Sequence, residues 1–179
     1  MSAPRETAIA IESDQPHGDL EAVFHAQYAR IARVIARVTR DPARAEELAV
    51  EVFLKWWRSP EAHGAGAEAW LYRTAVRRGL DELRGQTRRD RYERVLRFVR
   101  PARTPEEIHA QSEERARVRL VLAALPARQA ELLLLRADST AYAAIAAALG
   151  LNPSSVGTLL GRAEQAFRKE YVKRYGTEK

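Results

Sequence analysis

Apolar residues recur every three or four positions along most of this chain, a spacing that predicts amphipathic helices. After a polar start over residues 1–19, the first apolar stripe consists of Phe24, Tyr28, Ile31, Ile35 and Val38. We therefore predict a helix of about five turns that begins at Leu20, preceded by a disordered tail. No alternating pattern is strong enough to predict a strand, so the expected fold class is all-α.

A second helix is predicted to begin at Asp41 and Pro42, because aspartate caps helix N-termini and proline suits the first helical position. The stripe that this helix buries is Ala45, Leu48, Val52 and Trp56. Trp57 follows Trp56 directly and must point in another direction. Proline and glycine between residues 59 and 66 predict a loop after this helix.

A third helix is predicted from Glu68 to about Arg88, and it enters the most basic part of the chain. Residues 69–103 contain eleven arginines against four acidic residues. Pro101 and Pro105 then bracket a segment without strong periodicity. We therefore predict a helical domain over residues 20–88, a flexible linker over 89–110 and a second small helical domain over 111–175.

The second domain carries the pattern of a helix-turn-helix, in which two helices cross over a short turn. Ala146 is small enough for the crossing, Gly150 suits a left-handed turn, and Val156 lies behind the second helix. The apolar backing is Ile145, Leu149 and Leu159. Asn152 and Pro153 mark the start of the second helix. Such a unit commonly places its second helix in a DNA major groove.

Composition narrows the possible functions. The 179 residues include no cysteine, which excludes disulfides, zinc fingers and thiol catalysis. A formal net charge of +6 favours a polyanionic partner. The start of the chain does not resemble a signal peptide, and no apolar run is long enough to cross a bilayer. We therefore expect a cytoplasmic protein without membrane insertion.

Three ordered segments resemble the extracytoplasmic-function (ECF) group of bacterial RNA polymerase sigma factors, in the sigma-70 family. They are DPARAEELAVEVFLKWW at 41–57, AWLYRTAVRRGLDELR at 69–84, and LPARQAELLLLR with YAAIAAALGLNPSSVGTLLGRA in the second domain. The resemblance implies a region-2 domain followed by a region-4 domain. It also implies a non-catalytic role in promoter recognition and transcription initiation. The implied partners are core RNA polymerase, promoter DNA and an anti-sigma factor.

The resemblance also implies three sets of site residues. The helix at 41–58 would dock on core polymerase through Glu47, Val50, Glu51 and Leu54. The next helix would read the promoter −10 element through Arg73, Arg77, Arg78, Asp81 and Arg84. The recognition helix of region 4 would read the −35 element through Ser154, Ser155, Thr158 and Arg162.

Several positions depart from the family pattern. Val50 stands where glutamine is usual, Arg77 where asparagine is usual, and Ala67 where phenylalanine is common. The recognition helix is less basic than in most members, with Gly157, Leu159, Gly161 and Glu164 at positions that are often basic. Two glycines inside a helix cost about 1 kcal/mol each relative to alanine. Either another backbone approaches them closely or they are simply tolerated.

Two other functions remain open from the sequence. The chain could be a degenerate sigma-like protein that sequesters or assists a partner, or a free-standing regulator that binds duplex DNA through the helix-turn-helix alone. An enzyme is not expected, and neither is a cofactor or a metal site, because the four histidines lack metal-ligand spacing and no phosphate-binding loop is present. Asp81 and Glu82 diverge by about 100° on a helix and are expected to pair with arginines or solvent.

Overall fold

The structure is a computed structural model that describes residues 16–97 and 110–176, with side chains described over 20–92 and 113–176. Within these residues the chain forms seven α-helices and two short 3-10 helices, which confirms the all-α prediction. The helices are α1 (Pro16–Thr39), α2 (Pro42–Trp57), α3 (Ala67–Arg97), α4 (Ala110–Ala124), α5 (Ala127–Ala137), α6 (Tyr142–Leu149) and α7 (Val156–Tyr175).

Helices α1, α2 and α3 pack on one another and form the N-terminal domain. Its most completely buried large side chains are Ile31, Ile35, Leu48, Leu71 and Leu80. Asp41 caps α2 as predicted, because its carboxylate accepts a hydrogen bond of 3.0 Å from the backbone N–H of Arg44. Trp56 is buried and Trp57 is exposed, as their adjacency on one helix requires.

Two helix boundaries differ from the predicted ones. Helix α1 begins at Pro16 rather than Leu20, so it includes the last residues of the predicted 1–19 tail. Proline fits there because the first turn of a helix has no partner for a backbone N–H. Helix α3 continues to Arg97, past the predicted start of the linker at residue 89. No glycine or proline lies between Gly85 and Pro101 to end it earlier. Residues 1–15 and 98–109 lie outside the described residues.

Helices α4 to α7 form the C-terminal domain and contain the predicted helix-turn-helix. Ala146 and Val156 are buried, and Gly150 ends α6 with a φ of 60° in the left-handed region. Asn152 caps a 3-10 turn over Pro153–Ser155, so α7 begins only at Val156. The apolar backing also differs in detail: Leu160 is buried, whereas Leu159 is partly exposed.

The two domains pack against each other. Helix α3 of the N-terminal domain contacts α4, α5 and α6 of the C-terminal domain. One long helix, which carries most of the basic residues of the N-terminal domain, therefore forms most of one side of the domain interface, to which Arg37 of α1 also contributes. This arrangement decides which of its arginines are free to meet a nucleic acid.

Among the described helices, none is by itself both long and apolar enough to cross a membrane. Helix α6 and residues 153–175 meet the length and composition criteria only as a pair bent by 110°. These two segments are the helix-turn-helix, whose apolar side chains, including Ile145 and Leu160, are buried in the C-terminal domain.

Candidate nucleic-acid and protein interface

Helix α2 has two faces with different surroundings. One face is buried in the N-terminal domain through Ala45, Leu48, Ala49, Val52, Phe53 and Trp56. The predicted docking residues Glu47, Val50, Glu51 and Leu54 lie on the opposite face, because their spacing of three and four residues places them on adjacent turns. Val50 is 42% exposed, Leu54 43% and Trp57 50%. Exposed large apolar side chains that share one face are typical of a protein-binding surface.

Ion pairs connect this face of α2 to α3. The Nε of Arg78 donates a hydrogen bond of 2.8 Å to the carboxylate of Glu51. Arg44 donates to Glu47 over 2.6 Å from the preceding turn of α2. The predicted polymerase-docking residue Glu51 and the predicted DNA-contacting residue Arg78 are therefore direct partners.

Glu82 is the most enclosed of the α3 carboxylates whose side chains the structure describes. It accepts hydrogen bonds from Arg44 over 3.2 Å and from Arg89 over 2.9 Å. Burial of Glu82 favours its neutral form, but the hydrogen bonds from Arg89 and Arg44 outweigh burial and lower the pKa of this carboxyl. The expectation of arginine pairing is confirmed for Glu82. Within the described residues, no group of three or more His, Asp or Glu side chains is placed to hold a metal ion.

A polar cleft of about 310 Å³ lies between α2 and α3. Its lining includes four of the five predicted −10 residues, namely Arg73, Arg77, Arg78 and Asp81. Trp70 and Lys55 line the same cleft, and Trp70 is only partly buried. The cleft therefore combines several guanidinium groups, an ammonium group and an aromatic surface, which is a suitable combination for a single-stranded nucleic acid.

Arg84, the fifth predicted −10 residue, lies at the domain interface. Its Nε donates to the backbone carbonyl of Ala123 over 3.3 Å, and its Nη2 donates to that of Leu125 over 3.1 Å. Ala123 lies in the last turn of α4, and Leu125 is the first residue after this helix. The sequence identified Arg84 as a cation on the basic helix, but it did not indicate that the other domain supplies its partners.

Arg77 also points toward the C-terminal domain. Its Nε and Nη2 donate to the two carboxylate oxygens of Glu131 on α5, over 2.9 and 3.4 Å. The Glu131 side chain is only 5% exposed. This two-point pairing is the geometry in which a guanidinium binds a carboxylate or a phosphate.

Tyr72 forms the centre of a third contact between the domains. Its buried hydroxyl donates to Asp138, and the Thr140 hydroxyl donates to the Tyr72 oxygen over 3.3 Å. Burial and the hydrogen bond to Asp138 raise the pKa of the Tyr72 hydroxyl, so it remains a donor at neutral pH. Arg37 pairs with the same aspartate, and the guanidinium of Arg30 lies 4.5 Å from the centre of the Tyr72 ring.

The predicted −35 residues are all exposed around the start of α7. They are Ser154, Ser155, Thr158 and Arg162. The Ser154 hydroxyl donates to the Asn152 side chain over 2.9 Å, which holds the turn in place.

Sequence reasoning missed the neighbouring pair of Arg136 and Tyr142, in which the guanidinium lies 5.4 Å from the ring centre. The signal available was the position of Arg136 in the last turn of α5, shortly before the helix-turn-helix.

Gly157 and Gly161 are not required by packing within the described chain. A Cβ atom at Gly157 would lie 3.6 Å from the Tyr142 ring, an ordinary contact distance. A Cβ atom at Gly161 would meet no atom within 4 Å. The chain itself therefore tolerates side chains at both positions, and any demand for glycine would come from a partner.

The comparisons with known proteins agree with this geometry. The model of sigma-70 region 2 matches residues 23–89, and that of sigma-70 region 4 matches residues 115–167. The ECF RNA polymerase sigma factor SigK of Mycolicibacterium vanbaalenii is 30% identical over an alignment of 157 residues, and the match covers 83% of this chain and 80% of that protein. The chain belongs to the sigma-70 family. We use region 2 for the domain of α1 to α3 and region 4 for that of α4 to α7.

Two further similar proteins are sigma factors. The ECF RNA polymerase sigma factor SigE of Mycolicibacterium smegmatis is 29% identical, and the match covers 83% of this chain and 60% of SigE. The sigma factor RpoE of Bartonella quintana, solved in complex with the anti-sigma factor NepR, is 21% identical. That match has a TM-score of 0.49 and covers 85% of this chain and 96% of RpoE.

This ECF sigma factor acts in promoter-directed transcription initiation, as the predicted resemblance implies. The rival interpretation of a sigma-like protein that only sequesters a partner is not favoured by these relatives. The roles of individual docking and DNA-contacting residues remain predictions.

Proposed function

We propose that this ECF sigma factor binds core RNA polymerase through the exposed face of α2. Two further surfaces of the sigma factor read promoter DNA and so direct the polymerase to promoters. The observation that carries the proposal is the α2 face itself. Val50 and Leu54 are large apolar side chains that remain about two-fifths exposed, although the opposite face of the same helix is completely buried. Water contact at these side chains is unfavourable, so burial against a partner helix would stabilise a complex.

The cleft between α2 and α3 is the proposed −10 surface. Arg73, Arg77 and Arg78 line it together with Trp70. Arginines at these positions can pair with phosphates and release counterions, and an aromatic surface can hold an unstacked base. Asp81, at the edge of the cleft, lies 3.8 Å from Arg84 and helps to orient it. The Arg78 to Glu51 contact would connect polymerase docking directly to DNA binding.

The start of α7 is the proposed −35 surface. Ser154, Ser155 and Thr158 carry hydroxyls that can donate to or accept from base edges. Arg162 and Arg136 can supply phosphate contacts. Because this surface has few cations, we expect base reading here to depend strongly on how region 2 and polymerase position region 4.

We also propose an anti-sigma factor as a second protein partner and the cytoplasm as the site of action. The family resemblance supports the proposal of an anti-sigma factor, and the proposed binding to RNA polymerase supports the proposal of the cytoplasm. No role in catalysis is proposed for this chain, since polymerase carries out the chemistry.

In vitro transcription tests the proposed function. Core polymerase from the same organism would be incubated with sheared genomic DNA, with and without this protein, and the RNA 5′ ends would be sequenced. The matched variants are Leu54→Asp on the docking face and Ala26→Asp on the exposed face of α1. Leu54→Asp is preferable to Glu51→Lys, because Glu51 also pairs with Arg78 and a charge reversal would disturb α3.

New transcription starts that share upstream elements are the expected result. We expect Leu54→Asp to abolish these starts and to weaken co-purification with core polymerase at least tenfold, since a charge would be buried in the interface. Ala26→Asp should behave as the unmodified protein. Absence of new starts despite binding to core polymerase would contradict the proposal and favour a sequestering role.

A further inference from the structure

We propose that region 4 closes over the promoter-reading face of region 2, so that the sigma factor alone is self-blocked by a latch centred on Glu131 and Asp138. This inference rests on the proposed DNA-reading role of Arg77 and Arg84. It adds a regulatory function for acidic residues of region 4 to which the sequence assigned no role. The latch must open before the −10 surface can bind DNA.

The first part of the latch is the pairing of Arg77 with Glu131. The carboxylate occupies one donor edge of the guanidinium, Nε and Nη2, at 2.9 and 3.4 Å, and this edge could otherwise bind a phosphate. The Glu131 side chain is almost fully buried, whereas the Arg77 side chain is half exposed. Arg77 cannot bind Glu131 and a DNA phosphate with the same donors, so Glu131 competes with DNA for this edge of the guanidinium.

The second part is the position of Arg84 against the end of α4. Its guanidinium donates to the carbonyls of Ala123 and Leu125. The C-terminal end of a helix carries partial negative charge, so a cation is favoured there. Region 4 therefore satisfies a second predicted DNA-contacting arginine with its own backbone.

The third part is the contact of Tyr72 with Asp138 and Thr140, which lie in the connection between α5 and α6. Asp138 accepts from the Tyr72 hydroxyl and also pairs with Arg37 of α1. A cleft of about 220 Å³ beside Tyr72 is shared by the start of α3 and the alanine-rich face of α6. The alanines that line it are Ala65, Ala69, Ala144, Ala147 and Ala148. Small side chains on both sides permit this close approach, and any DNA directed to this end of α3 would meet α6.

The latch covers only part of the basic surface. Arg73 lines the α2 and α3 cleft beside Lys55, and Arg78 pairs with Glu51 of region 2. The closed protein therefore retains cations that can attract DNA, while Arg77 and Arg84 are held by region 4. When only a fraction of molecules is open, the apparent dissociation constant for the −10 strand increases in inverse proportion to that fraction.

Energy transfer between two dyes would measure closure directly. Because the chain has no cysteine, Arg58→Cys on region 2 and Gln165→Cys on region 4 give two unique labelling sites, both exposed. The test protein is the full chain with Glu131→Gln and Asp138→Asn. The control carries Glu113→Gln, which neutralises an exposed carboxylate of α4 outside the latch.

We expect lower transfer efficiency in the Glu131→Gln, Asp138→Asn protein than in the unmodified protein or the Glu113→Gln control. A charge swap distinguishes opening of the latch from unfolding of the double variant. Arg77→Glu should open the latch by placing two carboxylates together, and Arg77→Glu combined with Glu131→Arg should close it again. Equal transfer efficiency in all these proteins, or failure of the swap to restore transfer, would overturn the latch.

DNA binding then connects closure to function. The probe is a short single strand that carries the −10 element of a promoter mapped in the transcription experiment. The Glu131→Gln, Asp138→Asn protein should bind it roughly tenfold tighter than the unmodified protein in the absence of polymerase. Unchanged affinity in a protein that has opened would also overturn the self-blocking role. If the opened and unmodified proteins both fail to initiate transcription with core polymerase, the proposed function is wrong, whereas the transfer measurement still decides closure.

Discussion

Among individual side chains, Glu82 shows how charge pairing positions the basic helix. Its carboxylate is enclosed between Arg44 of α2 and Arg89 of α3. Enclosure alone would favour the neutral acid, yet the two guanidinium partners keep the ionised form more stable. Glu82 therefore holds α3 against the start of α2, which helps to align the proposed −10 surface with the proposed docking face.

We predict that Glu82→Gln lowers the free energy of unfolding of region 2 by about 1 to 2 kcal/mol at neutral pH, a modest value because the Arg89 side chain is mostly exposed. Folding lowers the pKa of Glu82. Its stabilisation is therefore present above the unfolded-state pKa and is lost as the pH falls through the folded-state pKa. The difference between variant and parent should shrink in that acidic range.

Urea unfolding followed by tryptophan fluorescence would measure this, because all three tryptophans, at positions 56, 57 and 70, lie in region 2. Glu46→Gln is the matched control, since Glu46 is an exposed carboxylate on the same domain. A difference between Glu82→Gln and the parent that stays constant down to strongly acidic pH would contradict the ion-pair explanation.

Along the helices, glycines have two different roles. Gly150 ends α6 in the left-handed region, which a residue with a Cβ atom adopts only at a cost. Gly161 lies inside α7, where the described chain leaves open space for a side chain. Only the first of these glycines is required by the fold of the helix-turn-helix.

We predict opposite effects of alanine at these two positions. Gly150→Ala should destabilise region 4 by about 1 to 2 kcal/mol, whereas Gly161→Ala should stabilise it by up to about 1 kcal/mol. Hydrogen exchange of peptides from α6 and α7 in the full chain would measure both changes. Destabilisation by Gly161→Ala would contradict the open space beside that residue.

The same Gly161→Ala protein distinguishes the two explanations for the glycine. If α7 must approach a DNA or protein backbone closely, transcription from a mapped promoter should fall although region 4 has become more stable. Unchanged transcription would mean that the glycine is simply tolerated.

Across the complete chain, the five predicted −10 residues separate into two groups. Arg73, Arg78 and Asp81 lie with Arg77 around a cleft of region 2, but Arg77 and Arg84 are also bonded to region 4. A substitution in the second group therefore changes both DNA contact and domain closure. A substitution of Arg73 changes DNA contact alone.

We predict that Arg73→Ala lowers the yield of open promoter complexes and reduces the salt dependence of DNA binding by about one unit of logarithmic slope, as expected for one lost phosphate contact. Energy transfer between the dyes at positions 58 and 165 should not change. Arg84→Ala should lower both open-complex yield and energy transfer. Permanganate footprinting over a range of salt concentrations measures the first effect, and an altered transfer efficiency in Arg73→Ala would refute the division into two groups.

Local sequence features are sufficient to predict the all-α fold class, the cap of α2 and the family, although not every helix boundary. Apolar spacing identifies the buried face of α2. The side chain of Asp41 caps this helix, and Gly150 can adopt its left-handed conformation because it has no Cβ atom. These features depend on residues a few positions apart. For the same reason, helical spacing is enough to place the four predicted docking residues on one exposed face of α2.

Packing between the helices, in contrast, decides which cations face a partner domain and which face solvent. Periodicity assigns Arg77 to a face of its own helix, but its partner Glu131 lies 54 positions away. Asp138 is likewise 66 positions from Tyr72 and 101 from Arg37. Contacts at such separations depend on how whole helices pack, and the local pattern of apolar and polar residues does not contain that information.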